Sequence, residues 1–280
     1  MSRHGLSGEF IAGAKGPIFV LLRRPPRLAR NCVLVVPPFA EEMNKCRRMV
    51  TEAALQLVGR GVAVVLPDLH GTGDSGGDFS EATWQAWLGD LTRTAKRAAE
   101  QGHAVTGILA IRLGCALATE AIVSGALPAV ARSALWQPVF DGSRFLTQFL
   151  RLRLAANFTD DRKESLAELR HRLAAGEALE VSGYRLSGRL AADLDSLIPP
   201  MLLPTGLGEA AWFEAMRDKA SGLAPPSQAL IAQTRERGGS IRDVSVTGEP
   251  FWTSTEIVVI QELVAATVAH LSGPATPGDV

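Results

Sequence analysis

The chain has 280 residues, 46% of them hydrophobic, with 29 Lys+Arg against 29 Asp+Glu and a formal net charge of +0 at pH 7. That length suits one large α/β domain or two small ones, and the apolar share is enough to bury a core. A balanced charge without a basic stripe excludes nucleic acid as the main partner and gives no long-range pull toward anionic membranes.

Met1 to Lys15 is mixed and polar, with no apolar core and no small-residue cleavage site, so no secretory signal is read there. No apolar run reaches the roughly 18 residues of a membrane span. Cys32, Cys46 and Cys115 are too few and too scattered for a disulfide framework or a zinc site. The expected location is a reducing cytoplasm, and neither a metal nor another cofactor is expected.

In chain order, Glu9 to Phe10 and Ile18 to Leu22 predict a hairpin turned by Gly13, Lys15, Gly16 and Pro17. Arg23 to Arg30 reads as a solvated, Pro-rich arm. Cys32 to Val36, stopped by Pro37-Pro38, reads as a fully buried parallel strand. Asn44 to Gly59 predicts a helix, with Met49, Ala53, Leu57 and Val58 on one face and Gly59 and Gly61 at its end. Val62 to Leu66 is a second strand. Thr83 to Gln101 is a second helix, capped by Thr83 and followed by Gly102. Ile108 to Ile111 is a third strand, Gly114 to Val123 a third helix and Ser133 to Trp136 a fourth strand. Such alternation implies right-handed βαβ units and a parallel sheet covered on both faces. Ligands bind such sheets beyond the carboxyl ends of the strands, so the residues after Val36, Leu66, Ile111 and Trp136 matter most.

Asp141 to Ile198 shows no strand pattern. Phe145 to Ala156, Ser165 to Ala175 and Leu186 to Leu197 read as helices of a cap above that edge. The sheet is expected to resume at Met201 to Leu203, with a helix near Trp212 to Lys219, a last strand at Ile241 to Val246 and a final helix at Thr255 to Leu271. The predicted class is α/β, a mostly parallel central sheet flanked by helices, as one domain over 1–272 with a cap insertion at about 141–198 and a flexible tail at 273–280.

Four segments carry the chemistry. Asp68, Gly71, Gly73 and Ser75 follow the second strand; the glycines permit a tight loop, and Asp68 and Ser75 tie its backbone. Leu109 to Leu117 lies where α/β-hydrolases carry their G-x-S-x-G nucleophile elbow. Ala110 and Gly114 fill the flanking positions, and Arg112 stands at the nucleophile position. A guanidinium has no free lone pair and cannot attack a carbonyl. It either adds positive charge to a helix N-terminus and draws a carboxylate or phosphate, or pairs with an acid among Glu41, Glu42, Asp68, Asp141 and Glu249. The loop after the last strand, Val246 to Trp252, contains no histidine. Of the five histidines, His4, His103, His171 and His270 lie away from the edge. His70 lies near it, and a place on the loop surface is expected for it. Asp141 or Glu209 could hold the acid position, but an acid without a base to orient is not a triad. Cys115 sits a turn into the helix and reads as core, with a lowered pKa there as the alternative. Pro37 to Lys45 follows the first parallel strand. The N–H groups of Phe39 and Ala40 are expected to face the pocket, and Glu41-Glu42 would disfavour an oxyanion but suit Arg112.

Pro37 to Lys45, Pro67-Asp68-Leu69 with Gly71 to Ser75, Arg112-Leu113-Gly114, Trp136-Gln137-Pro138, Gly183-Tyr184 and Pro250-Phe251-Trp252 together resemble the exosortase A system-associated hydrolase 2 family, over nearly the whole chain. The resemblance implies an α/β-hydrolase fold, an association with bacterial exosortase, PEP-CTERM proteins and exopolysaccharide production, and an arginine at the elbow as a pattern of the family. No residue is assigned a catalytic role. The candidate ligand-binding set is Arg112, Leu113, Phe39, Ala40, Glu41 and Glu42, with His70, Cys115, Asp141 and Glu249 at its edge. The leading reading is a non-catalytic or atypical member that binds a small anionic or acyl-bearing ligand, or a protein of the exosortase/exopolysaccharide system. The alternatives are an esterase or thioesterase working through Cys115, His70 or an acid-activated water, and a structural partner using the Pro-rich arm or the cap.

Overall fold

The computed structural model describes residues 5–27, 29, 31–156, 164–218 and 222–273. His4 and positions 274–280 of the expected tail lie outside the described residues. A hairpin of β1 (Gly5–Ala12) and β2 (Pro17–Arg24) leads into β3 (Asn31–Val36), α1 (Glu41–Gly59), β4 (Ala63–Pro67), α2 (Trp84–Glu100), β5 (Ala104–Ile111), α3 (Gly114–Val123) and β6 (Arg132–Trp136). The cap follows as α4 (Gly142–Ala156), α5 (Leu166–Ala174), β7 (Leu179–Val181), β8 (Tyr184–Leu186) and α6 (Gly188–Asp195). The chain then completes the main sheet with β9 (Glu209–Met216), α7 (Pro225–Glu236), β10 (Ile241–Thr247) and α8 (Gln261–Ser272).

Eight strands form one sheet in the order β1-β2-β4-β3-β5-β6-β9-β10. Only the β1–β2 and β2–β4 pairings are antiparallel. The inner strands are apolar on both faces because helices cover both. Leu34, Val36, Ile108 and Leu135 pack toward α2, α3 and the cap, whereas Val33, Val35, Leu109 and Trp136 pack toward α1 and α8. Trp136 Nε1 donates to Thr267 Oγ1 at 2.8 Å, which satisfies the indole inside that second layer.

Helix ends follow local chemistry. The Thr83 hydroxyl accepts from Ala86 N at 3.2 Å and caps α2, and α3 spans Gly114–Val123 as expected. The Asp68 loop is structural: Ser75 Oγ accepts from Phe19 N at 2.8 Å, and Asp68 Oδ2 accepts from Asp74 N at 2.9 Å.

Three expectations are corrected. Met201 to Leu203 is not a strand, since Met201 is 79% exposed and lies outside the sheet. The strand is Glu209–Met216, over part of the segment expected as a helix. It is inserted between β6 and β10, so Ala210, Ala211, Trp212 and Phe213 are all buried and no alternation marks it. The missing helix is α7, which opens on Pro225-Pro226, where proline costs no hydrogen bond. The cap contains a hairpin, β7–β8, turning through Ser182 and Gly183 at φ 51° and 81°, two left-handed residues that match the twist of such tight turns.

The cap is tied together by Arg170, whose Nη2 donates to Ser143 O at 3.0 Å and to Thr147 Oγ1 at 2.7 Å while its Nη1 meets both oxygens of Asp195 at 3.0 Å. It sits on the sheet's carboxyl edge through Phe39, whose ring lies 5.4 Å from Phe145 and 5.1 Å from Phe149, edge to face.

Candidate functional site

The sheet's carboxyl edge concentrates backbone strain. Ala40, Arg112 and Gln137, just past β3, β5 and β6, have φ of 50°, 55° and 44°. Each such residue costs on the order of 1–3 kcal/mol and persists only where its surroundings dictate it. Arg112 forms the sharp turn from β5 into α3. Its N–H donates to Trp136 O at 2.8 Å, and its carbonyl accepts from Cys115 N at 3.0 Å. Gly114 is required for this turn, because a Cβ there would lie 2.5 Å from Pro37 O and 2.7 Å from Val36 O.

The Arg112 side chain folds toward α1. Its Nε and Nη2 each lie 3.1 Å from Glu42 Oε1, its Nη1 donates to Gln137 O at 3.4 Å, and its Cζ sits 4.8 Å from the centre of the Trp252 ring. The two side chains are 12% and 7% exposed. Of the two sequence readings of Arg112, the geometry is that of pairing, and Glu42 is the partner. Helix α1 begins at Glu41, three residues before the expected Asn44, and so places Glu42 on its first turn, facing the elbow. Burial pushes the Glu42 carboxyl above its ordinary range, while the charge and hydrogen bond of Arg112 oppose that shift. Burial also raises the carboxyl of the adjacent Glu41. Glu42 Oε2 and Glu41 Oε2 are both buried without a hydrogen-bond partner. The loop after β10 reaches the elbow too, and it delivers the indole of Trp252, a cation–π contact.

Leu113, Phe39 and Ala40 lie on the other side of the elbow. The Phe39 ring is 4% exposed and packs on Phe79, Trp87, Phe145 and Phe149. The space left against Leu113 and Ala40 is about 20 Å³, room for about one water. The ligand-sized space beside the elbow is a cavity of about 480 Å³ under the cap, floored by Arg112, Gln137, Trp212 and Glu214 and rimmed by Asp141 and Arg144. Gln137 closes its wall: its N–H donates to Phe213 O at 2.8 Å, and its Oε1 accepts from Ala215 N at 2.9 Å.

The remaining expected residues are dispersed. His70 is 3% exposed rather than on a loop surface, because the loop folds inward: its N–H donates to Asp90 Oδ2 at 2.9 Å and its carbonyl accepts from Trp87 Nε1 at 3.1 Å. Asp141 accepts from Arg144 N at 2.8 Å at the start of α4. Glu249 pairs with Arg217 at 2.7 Å, not with Arg112. Glu209 opens β9 at the sheet's amino edge and pairs with Arg132 at 3.1 Å, so it cannot take the acid position. Cys115 is fully buried, and burial pushes its thiol well above the ordinary range, the opposite of an activated nucleophile. Cys46 is raised likewise and Cys32 is pushed up to about 12. Iodoacetamide at pH 8 should therefore leave all three native cysteines unmodified and label all three after denaturation. Rapid native labelling of Cys115, counted by mass spectrometry, would contradict this burial.

The sequence motifs do not point to Glu214 or Arg144, and they point to Trp252 only through the Pro250-Phe251-Trp252 motif of the resemblance. A charged residue inside the apolar run Ala210 to Ala215 was the available signal for Glu214, and it was masked by reading that run as helical. Among the described residues, no helix is long and apolar enough to cross a membrane.

No family model and no curated protein matches the sequence. Solved structures do match over almost the whole chain. Est1E of Butyrivibrio proteoclasticus, solved with ferulic acid bound, has a TM-score of 0.61 at 16% identity, covering 93% of this chain and 96% of that one. A thermostable carboxyl esterase of Bacillus coagulans, solved with glycerol, has a TM-score of 0.62 at 13% identity, covering 94% and 97%. A lidless α/β serine hydrolase of Xanthomonas campestris has a TM-score of 0.56 at 15% identity, covering 99% of each chain. At these identities the likeness is one of fold, and it agrees with the strand order, the parallel centre and the flanking helices: the chain has the α/β-hydrolase fold.

Proposed function

We propose that this protein is a non-catalytic binding member of the α/β-hydrolase fold, and that its ligand, small and acyl-bearing with an anionic group, occupies the cavity beside the elbow. One observation carries the reading: the apex of the β5–α3 turn holds a guanidinium committed to Glu42, Gln137 and Trp252. A serine-type mechanism needs a hydroxyl or thiol there with an imidazole in contact. Among the described residues, no histidine touches Arg112 or lines its cavity. The cavity walls include Val139, Phe140, Phe145 and Leu230, which suit an acyl chain. Arg144 at the rim is exposed and makes no ion pair among the described residues, so it is available to a carboxylate or phosphate. The motifs of the resemblance support a role beside an exosortase and exopolysaccharide system, and the three scattered cysteines support a reducing cytoplasm as its location.

A panel of activated esters and thioesters tests the loss of chemistry. Wild type, Arg112→Ser and Cys115→Ala should all stay at the uncatalysed rate, because restoring a hydroxyl at the apex restores no base. Turnover by wild type that disappears in Cys115→Ala would overturn the reading.

A further inference from the structure

The floor of the same cavity carries a carboxylate that no cation among the described residues pairs with. Glu214 extends from β9, is 8% exposed and lines the cavity. Among the described residues its side chain accepts one hydrogen bond, from a neutral donor, Trp212 Nε1 at 2.8 Å to Oε1. No ion pair reaches it from the described residues. Arg112, on the same floor, is held by Glu42. Buried carboxylates are ordinarily met by a cation or by several donors, since an isolated one is costly to bury. Phe140 and Leu230, which line the same cavity, are apolar and offer neither. Asp141 at the rim is spent on the first turn of α4. Among the described residues, the cavity thus presents a carboxylate without an ion pair on its floor, at Glu214, and a guanidinium without one at its rim, at Arg144.

We propose that the ligand inserts a primary amine onto Glu214, so that it is amphoteric: an ammonium at the buried end, an acyl or alkyl stem along Phe140 and Phe145, and an acid group outward at Arg144. This rests on the cavity being the binding site. The complementarity is directional. An ammonium supplies both the missing charge and up to three N–H donors, whereas a plain fatty acid would leave Glu214 buried beside hydrocarbon.

The test compares octanoate, 8-hydroxyoctanoate and 8-aminooctanoate by ligand-observed NMR titration at pH 7. The amine should bind about tenfold or more tightly than octanoate, the usual scale of a charge-assisted hydrogen bond. Glu214→Gln should abolish that advantage while leaving octanoate no weaker. Arg144→Gln should weaken both acids and preserve the ratio between them. Equal binding of octanoate and 8-aminooctanoate would sink the amine while leaving the cavity reading intact. An 8-hydroxyoctanoate affinity equal to that of the amine would replace the cation by a neutral donor. Failure of all three to bind would remove the cavity reading itself. The wild-type ranking needs no variant to fold, and thermal melting of Glu214→Gln checks that its loss is local.

Discussion

Arg112→Ala is expected to cost about 3–5 kcal/mol of folding stability, the range for removing one member of a buried ion pair. The cost comes from what is left behind. Glu42 would keep its buried position with Oε1 stripped of two donors, beside an Oε2 that already has none. Alanine would also inherit the φ of 55°, so no backbone strain is released. Urea denaturation should place the single variant far below wild type, and adding Glu42→Gln should recover more than half of the loss, because an amide is far cheaper to strand than a carboxylate. The defect should also depend on pH. A carboxyl raised above its unfolded value binds its proton more tightly in the folded state, so its contribution is best at low pH and is lost as pH rises through the folded value. The penalty should therefore be smaller at pH 5 than at pH 8. A single-variant cost below about 1 kcal/mol at pH 8 would mean that Glu42 reaches water, and the buried pair described above would not exist.

Phe39→Ala should cost a similar amount, about 3–5 kcal/mol, as expected for a buried phenylalanine. Its ring is the meeting point of the β3–α1 turn, α2 and the cap, with four aromatic neighbours between 5.1 and 5.8 Å. Removing it empties the centre of that cluster, and Phe145 and Phe149 lose the ring that binds α4 to the sheet. Amide exchange should accelerate in α4 well before it does in β3 and β5. Phe39→Leu, which refills most of the volume, should cost less than half as much. Uniform acceleration through the sheet and α4 would show that the cap does not depend on this contact.

The first half of the chain was legible as sequence because its elements obey local rules. Short β-branched runs end at prolines, Thr83 and Gly102 bracket α2, and Ala110 and Gly114 leave room for the sharp turn. After Trp136 legibility falls. Strand β9 is central and buried on both faces, so nothing periodic distinguishes it from a helix, and three-residue arms are too short to show a period at all.

At the site, local chemistry alone established that the apex of the turn is a cation that cannot act as a nucleophile, and it narrowed the partner of that cation to a few acids. Selecting Glu42 over Glu41 and Glu249 required the fold. Helix α1 starts early enough to aim Glu42 at the elbow, while Arg217 captures Glu249. The same holds for Trp252 and Glu214, which are 140 and 102 residues from Arg112 in the chain; one contacts it and the other lines the same cavity only because β5, β6, β9 and β10 run parallel and end at one edge. Residue type is a local property and can be read one position at a time. Which charge is neutralised, and which is left facing a cavity, depends on distances that exist only after the sheet has closed.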